Sequence, residues 1–278
     1  NKKKYILTIF EKRVNKKDVP FFMNLMSELN SKKIKCPKPI KNNKKKFFFN
    51  IKKKTGCLVS FLDGNEKKNL TSNDCIIIGK NIAKLHKITN KIKLFRKNNL
   101  SINSWPKLLY KIDKRINKLD KNIIPTLKNN LRTLKSSWPK KLPKGIIHSD
   151  LFIDNIFFSK RKFNGFIDFY FSCNDFYAYE LSICINALCF KKKGKNFIYD
   201  RIKARNLIKG YQRIRKLKAI EKENFNILCK GSALRYLLTR SYDYLNTPKS
   251  ALIKIKDPKE YLQKLQFHQK LNLFEEYL

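Results

Sequence analysis

Residues 145–168, GIIHSDLFIDNIFFSKRKFNGFID, constrain this chain more than any other stretch. An apolar triplet runs into His148, Asp150 and Asn155, and a second apolar run ends on Asp168. Short strands with acidic and amide residues at their ends hold hard oxygen ligands on rigid supports. Oxygens of that kind converge on a divalent cation and a phosphate chain, so the fold has to bring those strand ends together.

The chain has 278 residues, of which 42% are hydrophobic and 13% aromatic, too many for a disordered chain despite its charge. No apolar run approaches the ~18–20 residues of a membrane span, so no membrane association is expected. The N-terminus lacks an apolar signal core and an initiator Met, which reads as a trimmed or partial chain without a secretory signal. Seven cysteines, none in a C-x-x-C pair, and three dispersed histidines argue against zinc and for a reducing, cytoplasmic setting. Cys173, Cys184 and Cys189 lie among apolar residues as free buried thiols do.

A net charge of +43 raises the question of a nucleic-acid partner. Only 11 of the 64 basic residues are Arg, the better residue for bidentate phosphate and base recognition. The lysines are dispersed, and Asn, Ile and Phe share their AT-rich codons. Compositional drift accounts for the charge, and no nucleic-acid partner is expected.

The alternation in residues 4–10 predicts a strand. Asp18, as the cap, and Pro20 open an amphipathic helix that Cys36-Pro37-Lys38-Pro39 ends. Strands follow at 47–51 and 57–62, split by KKKTG. This order, with a crossing at Leu62-Asp63-Gly64, resembles the small lobe of a two-lobe kinase. Helices are expected at 72–88, 104–118, 123–137, 175–190, 197–214, 219–246 and 258–270, interrupted by strands at 145–147, 156–158 and 163–167. The runs Lys44-Lys45-Lys46 and Lys191-Lys192-Lys193 read as solvated turns.

In this frame Asp150 is placed to accept the proton of a substrate hydroxyl attacking a γ-phosphate. Asn155 and Asp168 offer a neutral and a charged oxygen to Mg²⁺ bridging nucleotide phosphates. The plainer alternatives are a turn-forming Asp150 and a strand-end cap at Asp168. Asp154 reads as a loop or capping residue, and His148 and His86 as structural histidines. His268 has no partner visible in sequence. Neither G-x-G-x-x-G nor G-x-x-x-x-G-K-[ST] occurs.

At IIHSDLFIDNIFF and FIDFYFSCNDFYAYELSICINALCF the chain resembles the homoserine kinases of the aminoglycoside-phosphotransferase-like superfamily, the type related to choline kinase. Further matches are YILTIFEKRV with DVPFF, KCPKPI, VSFLDG, IAKLH, ALRYLLTRSYDYL and KDPKEYLQKL. The resemblance implies an α+β, two-lobe protein-kinase-like fold. Residues 1–62 would form an incomplete, sheet-containing N-lobe on the nucleotide side, with a hinge at 60–62. Residues 63–278 would form a mainly helical C-lobe with the catalytic and metal loops and the substrate site. The glycine-containing turn over the phosphates is expected upstream of Asn1.

The implied activity is ATP-dependent phosphorylation of the L-homoserine hydroxyl to O-phospho-L-homoserine, in threonine biosynthesis. Asp150 would be the catalytic base, Asn155 and Asp168 the magnesium ligands, and Ser60, Phe61 and Leu62 the adenine hinge. The charged ends of homoserine call for Arg235 or Arg240, with Asp175 or Asp243, unless these serve internal salt bridges. A choline-like or aminoglycoside acceptor, or a non-catalytic basic pseudokinase, are the alternatives. The chain departs from the superfamily pattern at Thr8 (usually Lys), Met23 (near an expected Glu), Ser149 (Ala), Ile153 (Pro) and Glu180 (Asp), with Lys12 or Arg13 as possible substitutes for the lysine.

Overall fold

The computed structural model describes residues 3–10, 14–112, 114–248 and 255–278. In chain order its strands are β1 (Tyr5–Ile9), β2 (Phe48–Ile51), β3 (Lys54–Ser60), β4 (Lys144–Ile147), β5 (Ile156–Ser159), β6 (Lys162–Phe166), β7 (Cys173–Phe176), β8 (Phe190–Lys193) and β9 (Asn196–Tyr199). The α-helices are α1 (Val19–Ser31), α2 (Ser72–Thr89), α3 (Trp105–Tyr110), α4 (Ile123–Ser137), α5 (Tyr177–Leu188), α6 (Arg201–Gln212), α7 (Ala219–Glu223), α8 (Phe225–Asn246) and α9 (Lys259–Gln269). They form two compact units: Asn1–Lys97 with Lys144–Glu180 and Asn206–Lys216, and Asn98–Pro143 with Leu181–Arg205 and Leu217–Leu278. The architecture is α+β.

The first unit contains an antiparallel sheet in the order β1-β3-β2. Only Lys52 and Lys53 of the polar KKKTG form its turn, since Lys54 to Gly56 already belong to β3. Their φ angles are 43° and 66°, the left-handed pair that a tight two-residue hairpin demands. Lys160 and Arg161 repeat the device between β5 and β6, at φ 47° and 64°. Basic residues thus occupy positions that Asn-Gly fills at lower steric cost.

Asp18 corrects the expectation of a helix cap. It makes no capping bond to α1, and its carboxylate instead accepts from Arg96 Nε at 2.7 Å. The helix relies on Pro20 in its first turn and on a buried face with Phe22, Met23, Leu25, Met26 and Leu29. By contrast α2 carries a full capping box: Asp74 N–H donates to Thr71 Oγ1 at 3.1 Å and Thr71 N–H to Asp74 Oδ2 at 2.9 Å.

The second unit is built around α8, packed against α9 and α4. The expected helix at 104–118 is two pieces, α3 and a 3-10 turn over Lys114–Lys118. Residues 219–246 break at Asn224, which leaves α7 and α8. Residues 197–199 are strand rather than helix, because β9 pairs with β8. Lys191 to Lys193 are therefore an exposed strand, and the turn itself falls on Gly194 (φ 60°) and Lys195. Residues 173–176 likewise form β7 ahead of α5.

His268, which had no visible partner, is fully buried between Tyr277 Oη, 3.1 Å from Nδ1, and Asn186 Oδ1, 3.0 Å from Nε2. Asn186 Nδ2 donates to Ser232 Oγ at 2.7 Å and to Cys229 O at 3.1 Å, so Oδ1 is its acceptor and His268 Nε2 carries the proton. All seven cysteines are free and buried. Among the described residues no helix is long and apolar enough to cross a membrane.

Candidate active site

Asp150, Asn155 and Asp168 come together in the first unit through a short chain of backbone pairings. Strand β4 delivers the 148–150 loop and pairs antiparallel with β7, which leaves the loop after Asp168. Hairpin β5–β6 runs from Asn155 to within two residues of Asp168. Asn155 joins them: its Nδ2 donates to Asp150 O at 2.8 Å, and its carbonyl accepts from Ile167 N–H at 3.1 Å. With Nδ2 spent on protein, Oδ1 is the atom left for a ligand.

Asp168 is the N-cap of a 3-10 turn, Phe169–Phe171, in the left-handed conformation at φ 60° and ψ 60°. Surrounding protein and then the Asp150 charge, with a smaller push from Asp154, raise its carboxyl to about 6 against a hydrogen bond from the Tyr170 N–H. A carboxylate crowded in this way favours a cation beside it.

The donor set fits a divalent cation on a nucleotide. Among the described residues no three acidic, His or Cys side chains gather as a metal cage. A hard cation held by one carboxylate and one amide oxygen draws its remaining ligands from phosphates and water, the usual mode for Mg²⁺ on a nucleotide. Asp154 is exposed in the 3-10 turn Ile153–Asn155.

The loop that carries Asp150 is held by Glu180, which the resemblance marks only as standing where Asp is usual. Buried on α5, its carboxylate accepts from His148 N–H and from Ser149 N–H, the latter at 2.9 Å to Oε1. Ser149 sits at φ 68°, the conformation that turns both amides toward one acceptor. His148 is structural: its Nε2 lies 2.8 Å from Ile167 O, and its ring packs on Phe169 at 4.6 Å. Burial pushes its pKa down, against the pull of Glu180.

His86 is structural as well. Its Nδ1 lies 2.8 Å from Tyr211 Oη and its Nε2 3.8 Å from Glu180 Oε2. Arg215 Nη1 donates to Tyr211 Oη at 3.2 Å and lies over the Tyr177 ring at 4.7 Å.

Hairpin β5–β6 is anchored by close backbone contact. A Cβ at Gly165 (φ 145°) would fall 2.4 Å from Lys35 O, and one at Gly64 (φ 113°) 2.5 Å from Phe158 O. Asn164 closes the contact, donating from Nδ2 to Asp63 O at 2.7 Å and accepting from Lys35 Nζ at 3.0 Å.

Of the hinge candidates, Ser60 N–H donates to Lys38 O at 2.8 Å and Phe61 N–H to Lys4 O at 3.0 Å, with Leu62 next in the chain. Thr8 lies on β1, where its Oγ1 accepts from Tyr170 Oη at 3.3 Å, and Met23 is fully buried on α1. Lys12 and Arg13 lie outside the described residues. Asp175 is on β7, with Oδ1 accepting from Phe176 N–H at 2.8 Å. Arg235, Arg240 and Asp243 are on α8 in the second unit. Arg235 is buried over the Tyr236 ring, and Arg240 Nη1 donates to Glu260 Oε2 at 2.6 Å.

An Asp-bearing loop after one strand, an Asn at the head of a hairpin and an Asp at its end have the arrangement that phosphoryl transfer asks for. Solved structures carry the same fold. An amicoumacin kinase in complex with AMP-PNP and Ca²⁺ superposes with a TM-score of 0.75 over 99% of this chain and 85% of its own, at 15% identity. The choline kinase of Cryptosporidium parvum gives 0.66 over 96% and 81%, at 14% identity. The chain belongs to the phosphotransferase enzyme family, whose model matches residues 1–217.

Curated relatives of the chain are homoserine kinases. That of Xanthobacter autotrophicus is 40% identical over 273 residues, 98% of this chain and 84% of the relative. That of Agrobacterium fabrum is 41% identical over 272 residues, with the same shares.

Proposed function

We propose that the chain is a homoserine kinase, transferring the γ-phosphoryl group of ATP to the side-chain hydroxyl of L-homoserine. About 40% identity to homoserine kinases over nearly the whole chain carries this reading. In the reaction the hydroxyl oxygen bonds to Pγ as the bond from Pγ to the bridging oxygen breaks. The products are O-phospho-L-homoserine and ADP, on a route to threonine.

Asp150 would take the hydroxyl proton, and Asn155 with Asp168 would hold Mg²⁺. The cation, when bound, neutralises charge on the phosphate oxygens. Glu180 keeps Asp150 in place through the two loop amides. Residues 1–62 form the nucleotide side, with adenine at Ser60–Leu62. Because Ser60 and Phe61 have spent their N–H groups, a donor to adenine falls to Leu62.

Of the candidates for the charged ends of the amino acid, Arg240 is already balanced by Glu260. A cytoplasmic setting agrees with seven free thiols. A +43 chain is a poor host for polycationic aminoglycosides, and retention of Asp150, Asn155 and Asp168 together argues against a decayed kinase.

A coupled ADP-release assay with homoserine, choline, threonine and serine tests the assignment. Release is expected with homoserine first. Release with another acceptor and none with homoserine would sink it.

A further inference from the structure

Arg96 sits outside every sequence motif of the site, yet it makes a dense set of polar contacts at the loop that follows Asp168. Its Nη1 donates to Ser172 O at 2.9 Å and to Phe171 O at 3.4 Å. Its Nε donates to Asp18 Oδ2 at 2.7 Å, and the guanidinium lies 4.9 Å from the centre of the Phe22 ring. The backbone is pinned too: Arg96 N–H donates to Asn174 Oδ1 at 2.8 Å, and Arg96 O accepts from Asn174 N–H at 2.8 Å. Both Arg96 and Asp18 are largely buried, so solvent screens the pair little.

The carbonyls it takes are three and four residues past Asp168. The same loop meets α1 a second time through Tyr170, whose ring lies 5.9 Å from Phe22 and 4.9 Å from Phe10. Asp18, at the head of α1, thus holds Arg96 against the loop, while Phe22 of α1 meets the loop through Tyr170. A guanidinium fork suits this task, since it serves a carboxylate and two carbonyls from one rigid plane.

Resting on the reading of Asp168 as a cation ligand, we propose that Arg96, clamped by Asp18, is a positioning residue that sets Asp168 for the cation. Outer-shell partners of this kind typically change metal affinity by about 10–100-fold when removed.

The test titrates Mn²⁺·ADP into the protein, follows water-proton relaxation enhancement by the bound ion, and runs well below each variant's melting temperature. Arg96→Met is expected to weaken binding about tenfold, at the low end of that range. Arg96→Lys, which keeps the charge without the fork, should lose about threefold. Asp18→Asn should also lose about threefold, and the double variant should be no weaker than Arg96→Met alone, because the two residues act as one unit.

The KM for homoserine should stay within about twofold throughout, since uniform substrate binding is untouched. A lowered melting temperature with wild-type Mn²⁺·ADP affinity would mean a purely structural role and overturn the proposal. If Arg96→Met does not fold, Asp18→Asn decides, and unchanged affinity there overturns it equally. Asp168→Asn separates the two readings. Wild-type affinity in that variant would remove the cation assignment itself, whereas loss there with none at Arg96 or Asp18 removes only the positioning role.

Discussion

Ser149 donates its backbone N–H to Glu180 Oε1 at 2.9 Å, across 31 residues of sequence, from a backbone held at φ 68°. The carboxylate also accepts from His148, so one buried side chain fixes the two residues that precede Asp150. Loop conformation and the placement of the proposed base are therefore one problem.

Glu180→Ala should strand two buried amides at about 1–3 kcal/mol each, and urea denaturation is expected to show a loss of that order. The kcat should fall at least tenfold, whereas Glu180→Asp, which keeps two acceptor oxygens, should recover most of both. Normal kcat in a folded Glu180→Ala variant would show that the loop holds itself.

At Ser149 the backbone sets the choice of residue. Ser149→Gly meets no steric cost at positive φ and should fold with stability within about 1 kcal/mol of the parent and near-parent kcat. Ser149→Val places a β-branched side chain in the left-handed region and should lose about 1–3 kcal/mol together with activity. Equal behaviour of the two in thermal melts and turnover would contradict the backbone argument.

Arg240 is expected to serve the fold. Burial pushes the Glu260 carboxyl up, but the Lys264 and Arg240 charges outweigh it and hold the group below the usual carboxylate range. Lys264 Nζ is also 2.5 Å from Glu260 Oε1 and 2.6 Å from Asn186 O, so Glu260 keeps a partner when Arg240 is lost. Arg240→Ala should then cost about 1–3 kcal/mol, less than a fully uncompensated buried charge, with homoserine KM within twofold. A tenfold rise in KM at parental stability would return Arg240 to the substrate site.

Acid should weaken the second unit through His268. Burial first, then the Lys264 and Lys230 charges, lower its pKa from 6.5 to about 3. Above pH 6.5 the folded and unfolded forms are both neutral and the residue contributes no pH dependence. Between 6.5 and 3 only the unfolded chain takes up the proton, so stability falls as pH falls, by up to about 1.4 kcal/mol per pH unit. Urea titrations from pH 7 to 4.5 should show a shallower slope for His268→Gln than for the parent. Parallel slopes would rule the residue out as the source.

What was legible in the sequence was local. Asp150, Asn155 and Asp168 stood out because strand ends and oxygen ligands lie within two dozen residues, and α4 emerged at 123–137 from its apolar spacing alone. Long-range partners were hidden: the Asp18 carboxylate serves Arg96 across 78 residues instead of its own helix. Glu180 was marked only as a departure from Asp; as one acid inside an apolar helical run, it showed nothing of the amides it holds. The β8–β9 hairpin escaped because Lys191, Lys192 and Lys193 lie in an exposed strand without the apolar alternation that marks a half-buried one.

The seven interior thiols make the protein its own stopwatch. Cys36, whose thiol burial pushes up to about 12, is nearly inert to alkylating agents until the chain around it opens. Cys36, Cys57, Cys75 and Cys173 belong to the first unit, and Cys184, Cys189 and Cys229 to the second. The order in which a thiol reagent marks these peptides over time therefore records which half of the molecule breathes first.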